Sequence, residues 1–165
     1  HEEDYEKEEP WYRWSYTVQD LDIDLLKKKL QERGISFTDF KKVKDMEIIR
    51  RAAGGSARTL VISTDQGELQ VEGEYEIRYV LNQEGEVIRQ DDSAYTLSTI
   101  LPSAYFVMDL QKVKKGITGF TLYGGGFGHG VGMSQNAAKA MAQSGKTYEE
   151  ILAMFYWNCQ LAKKY

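Results

Sequence analysis

The chain has 165 residues, of which 42% are hydrophobic and 28% charged, the composition of an ordinary globular domain with enough chain to bury a core. No apolar run approaches the roughly 20 residues of a membrane-crossing helix, and no signal peptide is visible. The net charge of −4 excludes the basic footprint of a nucleic-acid-binding protein.

The charge is uneven. Six of the 25 acidic residues, but only Lys7 of the bases, fall in the first nine positions. Residues 1–10 therefore read as an acidic, solvated linker, since like charges resist collapse, and 11–165 as the folded body. Cys159 is the single cysteine, so no disulfide forms within the chain and a multi-cysteine zinc site is excluded. Its thiol is expected to pack as a small hydrophobe.

In chain order, the aromatic and β-branched run 11–18 predicts a strand. Over 20–33, Ile23, Leu26 and Leu30 share one helical face. Acids crowd the start of that stretch and bases its end, which complements the helix dipole, and Gly34 supplies a stop. Alternation predicts strands at 43–52, 59–64 and 68–72, the last two joined by a turn at Asp65-Gln66-Gly67. A short helix is predicted over 74–81, with Tyr75, Ile77 and Tyr79 as its apolar contacts. Residues 82–93 are polar and read as an exposed loop, and 105–110 and 119–123 as two more strands.

The last third carries the chemistry. Six glycines fall within positions 124–132, between a strand and a helix through Ala137 and Met141 that Ser134 can cap. Glycine costs conformational entropy, so this density implies backbone angles or close approaches that other residues cannot supply. A strand-to-helix junction of this kind aims backbone amides and the positive end of a helix dipole at one small volume. His129 and Gln135 flank it with groups that donate and accept. The combination suits a ligand bearing carboxylate, hydroxyl and acetamide groups. A phosphate-cradling loop is excluded because no Gly-Lys-Ser/Thr follows the glycines, and no βαβ unit supports a dinucleotide site. His129 has three readings: a lock for the glycine loop, a substrate contact, or a metal ligand or acid–base group, the last lacking a second His in the folded body. Ser134 reads as a cap rather than a nucleophile, with no Gly-x-Ser-x-Gly elbow around it. Thr147 and Glu150 have capping-box spacing ahead of a second helix.

The stretch Gly128-His129-Gly130-Val131-Gly132-Met133-Ser134-Gln135 resembles the signature of the stage II sporulation protein D (SpoIID/LytB) family. The following segment through Gly145 and Thr147-Tyr148-Glu149-Glu150-Ile151-Leu152 is similar as well. So are Glu72-Gly73 with Ile77-Arg78 and Leu81, Leu101-Pro102-Ser103-Ala104-Tyr105-Phe106, and Tyr12-Arg13-Trp14. The likeness extends over nearly the whole chain and matches the C-terminal portion of that family's domain.

The resemblance implies a lytic transglycosylase of bacterial cell-wall glycan, acting in sporulation and engulfment. In such chemistry a carboxylic acid protonates the glycosidic oxygen leaving N-acetylmuramic acid, and the sugar's own 6-hydroxyl closes a 1,6-anhydro ring. The family's catalytic Glu lies on an N-terminal helix in a Ser-Glu-Met-like setting, and its His/Cys-rich metal-binding stretch is also N-terminal. Neither motif is present here, so the resemblance assigns no catalytic residue, metal or cofactor to this chain. It implies that Tyr12, Trp14, Gly128, His129, Gly130, Ser134 and Gln135 line a glycan groove, with a place in the core as the other and stronger reading of Tyr12 and Trp14. The expected partners are peptidoglycan strands and other cell-wall hydrolases or sporulation proteins. The expected location is extracellular or facing the cell envelope, with any membrane anchor N-terminal to these residues. The alternative is a non-catalytic module that holds glycan or modifies an amidase. The expected fold is α+β, a twisted and mainly antiparallel sheet with a few flanking helices.

Overall fold

The computed structural model describes residues 4–162. Eight strands and four helices follow in the order β1 (Trp14–Val18), α1 (Ile23–Glu32), β2 (Val43–Arg51), β3 (Ala57–Thr64), β4 (Gly67–Glu72), α2 (Glu74–Leu81), β5 (Glu86–Arg89), β6 (Ala94–Thr96), β7 (Phe106–Val113), β8 (Gly116–Gly124), α3 (Gln135–Gln143) and α4 (Tyr148–Phe155). The strands form two sheets, β6-β5-β1-β8-β7 and β2-β3-β4. Every pairing is antiparallel. The fold is α+β, as the pattern of the sequence implies.

Alternation decides which face of each strand is buried. Trp14, Tyr16 and Val18 of β1 and Phe120 and Leu122 of β8 point into the core, as do Leu60 and Ile62 of β3. Helix α1 lays the predicted face against them, with Leu26 and Leu30 fully buried. Each such side chain contributes about 1.5–3 kcal/mol by leaving water. Asp22 caps this helix by accepting from the Leu25 amide at 2.9 Å. In α2 the buried residues are Ile77, Arg78, Val80 and Leu81. Tyr75 and Tyr79 do not enter the core as expected: they stack outside it, 6.4 Å apart, under the guanidinium of Arg33.

Three further expectations are corrected. The segment read as an exposed loop over 82–93 contains β5, and β6 follows it, because Val87 is fully buried within a segment whose only other apolar side chain, Ile88, is exposed. Strand β1 starts at Trp14 rather than at residue 11: the chain is still turning there, with the Tyr12 amide bonded to the Glu9 carbonyl at 2.9 Å. The acidic lead-in, of which residues 1–3 lie outside the described range, does not run free over 4–10. Its turns lie on the body, where Gln90 donates to the Lys7 and Pro10 carbonyls at 2.7 and 3.2 Å.

Helices α3 and α4 pack chiefly on each other. Ala137, Met141 and Ile151 are their buried residues. The Thr147–Glu150 capping box is formed in both directions. Cys159, beyond α4, is exposed rather than packed, as are the described residues 157–162 around it.

Candidate functional site

One row of residues crosses the end of the five-stranded sheet. Arg89 of β5 pairs with Trp14 of β1, Trp14 with Gly124 of β8, and Gly124 with Phe106 of β7. The Trp14 indole lies over Gly124, where an added Cβ would come within 2.2 Å of the ring. No other residue fits this position without moving the ring. Trp14 Nε1 then donates to the Gly126 carbonyl at 3.0 Å. The strand-to-helix turn therefore starts on a fixed base.

The turn is clamped from both sides. Gly125 donates to the Tyr105 carbonyl, Gly126 to that of Trp11 and Gly128 to that of Pro102, at 2.9, 2.8 and 2.8 Å. Ser103 Oγ donates to the Gly125 carbonyl at 2.7 Å. Gly126, Gly128, Gly130 and Gly132 all hold positive φ, which explains the glycine density in physical terms. At Gly130 there is a second reason: an added Cβ would meet Tyr105 Oη at 2.4 Å. The expected set of unbonded amides is thus smaller than the glycine count implies. Those of Gly125, Gly126, Gly128 and Val131 already have protein acceptors.

His129 is exposed, and its Nδ1 accepts from the Val131 amide at 2.9 Å. An Nδ1 that accepts carries no proton, so the neutral ring holds its hydrogen on Nε2. The ring braces the turn with one nitrogen and leaves the other as a donor. His1, the second histidine, lies outside the described residues, and no group of three or more His, Cys, Asp or Glu among the described residues could hold a metal ion. Ser134 caps α3 by accepting from Ala137, and its hydroxyl donates to Glu6 at 2.6 Å. Gln135, the first residue of α3, is exposed.

These groups border a cleft of about 1360 Å³. Tyr12 and Trp14, just before and at the start of β1, and Gly128, His129, Gly130, Ser134 and Gln135, from the turn and the start of α3, all line it. Their positions differ in kind. Trp14 is only 4% exposed and supports the turn, so of its two readings it takes the core one and offers no ring face to a ligand. Tyr12 is half-buried under the guanidinium of Arg13, 3.9 Å from its ring centre. Its hydroxyl donates to Asp4, and that hydrogen bond, then burial, raises the phenol above its ordinary value.

The cleft also contains residues that sequence reasoning did not select. Phe127 is 62% exposed and lies 4.8 Å from the Trp11 ring. The charged groups on the walls are balanced: Glu6, Glu9 and Asp92 face Arg13, Arg51 and Arg89. Phe127 stood in plain view within the glycine run, but nothing in the sequence distinguishes an aromatic held outward from one turned inward. A large recess with apolar patches, a few directed donors and acceptors and no dominant charge suits a neutral, hydroxyl-rich ligand.

A family model described as a domain of unknown function, DUF8618, matches residues 1–132. The amidase enhancer of Bacillus subtilis (strain 168) is 42% identical over 60 residues, which are 36% of this chain and 8% of that protein. Stage II sporulation protein D of the same organism is 50% identical over 38 residues, 23% of this chain and 11% of that protein. The likeness thus spans a small part of each relative.

Proposed function

Because this chain belongs to the DUF8618 family, a domain of unknown function, we propose its role from the cleft: it holds the glycan strands of bacterial cell wall as part of a peptidoglycan lytic transglycosylase, in sporulation or a related cell-wall process. The carrying observation is the clamped glycine turn, with His129 Nε2 making no hydrogen bond among the described residues, beside a wide, charge-balanced recess. The partial likeness to stage II sporulation protein D supports the same reading. In it, these residues bind and orient the sugar polymer. The acid that protonates the leaving oxygen comes from outside them, since no Ser-Glu-Met-like motif is present in the sequence.

The likeness to an amidase enhancer favours a second reading, in which the cleft grips glycan for a separate hydrolase and cleaves nothing itself. In both readings the protein faces the cell envelope. No helix among the described residues is long and apolar enough to cross a membrane.

Denuded glycan strands incubated with this chain, and separately with the complete product of its gene, distinguish the two. Saccharides ending in 1,6-anhydro-N-acetylmuramic acid from the complete product, seen by mass spectrometry, are the expected result. Glycan retained by both without any such product would support the accessory role. No retention by either would remove glycan as the ligand.

A further inference from the structure

Phe127 keeps 62% of its surface exposed, although the backbone on both sides of it is pinned. Gly126 donates to the Trp11 carbonyl and Gly128 to the Pro102 carbonyl, each at 2.8 Å. Both glycines hold positive φ, +76° and +132°. The ring is therefore presented by a fixed turn rather than left outside by a loose one. Exposing an apolar ring forgoes about 1.5–3 kcal/mol of burial, and the glycines needed to place it cost further backbone entropy.

Its support is aromatic as well. Trp11 lies 4.8 Å from Phe127 with the planes at 47°. Trp11 is in turn held edge-on by Tyr95, at 5.2 Å and 78°, and covered by the Arg89 guanidinium at 5.3 Å. Tilted and edge-on arrangements at these distances are favourable for aromatic pairs, and a guanidinium over an indole adds to them. The outer face of Phe127 stays open to the cleft.

We propose that Phe127, braced by Trp11, is a stacking platform for the apolar face of a pyranose ring, and that the ligand is an N-acetylhexosamine unit of a glycan strand. This rests on the glycan-holding reading of the cleft and names the contact that carries it. A pyranose turns several C–H bonds to one face and its hydroxyls to the rim, so it needs a single aromatic face bordered by polar groups. Arg13, Asp92 and His129 line the same cleft as Phe127 and offer it such polar groups. The balanced charge of the walls matches a neutral sugar.

Calorimetric titration of this chain with an N-acetylglucosamine tetrasaccharide and with denuded glycan strands tests the assignment. Phe127→Trp should keep the affinity within about threefold. Phe127→Leu, which stays apolar but loses the aromatic face, should lower it at least tenfold, and so should Phe127→Ala. Tyr148→Ala, an equally exposed ring on α4 outside the cleft, should change nothing. Thermal unfolding checks that each variant is folded. Binding by Phe127→Leu within twofold of wild type would overturn the platform and leave the glycan reading standing. No binding of either ligand by wild type would overturn both.

Discussion

Arg78 and Gly128 donate to the same carbonyl oxygen, that of Pro102, at 3.1 and 2.8 Å. The Arg78 guanidinium also donates to the Leu101 carbonyl at 2.9 Å and pairs with Glu74 at 3.0 Å one turn earlier on α2. A buried helix residue thereby sets the height of the strap on which the glycine turn rests. Removing it leaves Glu74, largely out of water, without its cation. Arg78→Met should cost about 3–5 kcal/mol, read as a shift of the urea midpoint, and Arg78→Lys should lose the two-carbonyl grip and stand between. Arg78→Met with an unchanged midpoint would show that the strap holds by other means.

The glycines of the turn should rank by what surrounds them. Gly124→Ala drives a methyl into the Trp14 ring, an overpacking cost of about 1–3 kcal/mol or more. Gly130→Ala combines a clash with Tyr105 and a φ of +70°. At Gly126 an added Cβ meets nothing within 4 Å, so only the left-handed backbone penalty of about 1–2 kcal/mol applies. Equilibrium unfolding of the three variants should place Gly126→Ala as the mildest.

His129 braces and presents at once, and two substitutions separate these tasks. An Asn side chain can accept from the amide two residues on, so His129→Asn should keep the bond from Val131 and stay within about 0.5 kcal/mol of wild-type stability. Its own NH2 group sits closer to the backbone than Nε2 and falls short of the ligand, which should lower glycan affinity about tenfold, equal to about 1.4 kcal/mol. His129→Ala should lose both. Wild-type glycan affinity in a folded His129→Asn would remove Nε2 from the contact.

Tyr16 is a core phenol, and burial above all pushes it up from its ordinary value, partly offset by donation from the Gln83 and Gly85 amides. The folded state then keeps this proton longer than the unfolded chain does. Its contribution is complete below the unfolded value of about 10 and is lost as pH rises through the folded one. Tyr16→Phe should flatten the alkaline fall in stability, measured by urea unfolding at stepped pH. Tyr12, Tyr79 and Tyr148, which are raised by carboxylate partners, supply the slope that remains. At neutral pH the substitution should cost about 1–3 kcal/mol, because the Gln83 amide loses its acceptor at 2.7 Å.

What could be read ahead of the structure was local. The face of α1, the span of α2, the turn at residues 65–67 and both helix caps follow from spacing and side-chain chemistry within a few residues of each other. Strand β5 was hidden because its neighbours are polar and its burial depends on pairing with β1, 70 positions away in the chain. Trp14 illustrates the same limit at the site. An indole suits a sugar face and a core equally well, and only the arrival of Gly124 beneath it decides for the core. The glycine run announced strained backbone correctly, but three of its amides were already taken by carbonyls of Trp11, Pro102 and Tyr105, which no local pattern reveals.

Helices α3 and α4 bury little beyond Ala137, Met141 and Ile151, and that surface faces inward between the two of them. So small an interface makes the pair a foldon of its own, opening at a lower free energy than the sheets. Deuterium should reach the amides of residues 137–155 before those of the central strands. Each opening carries Phe155 away from the recess it borders, so the mouth of that recess breathes on a clock separate from the barrier that keeps the rest of the chain folded.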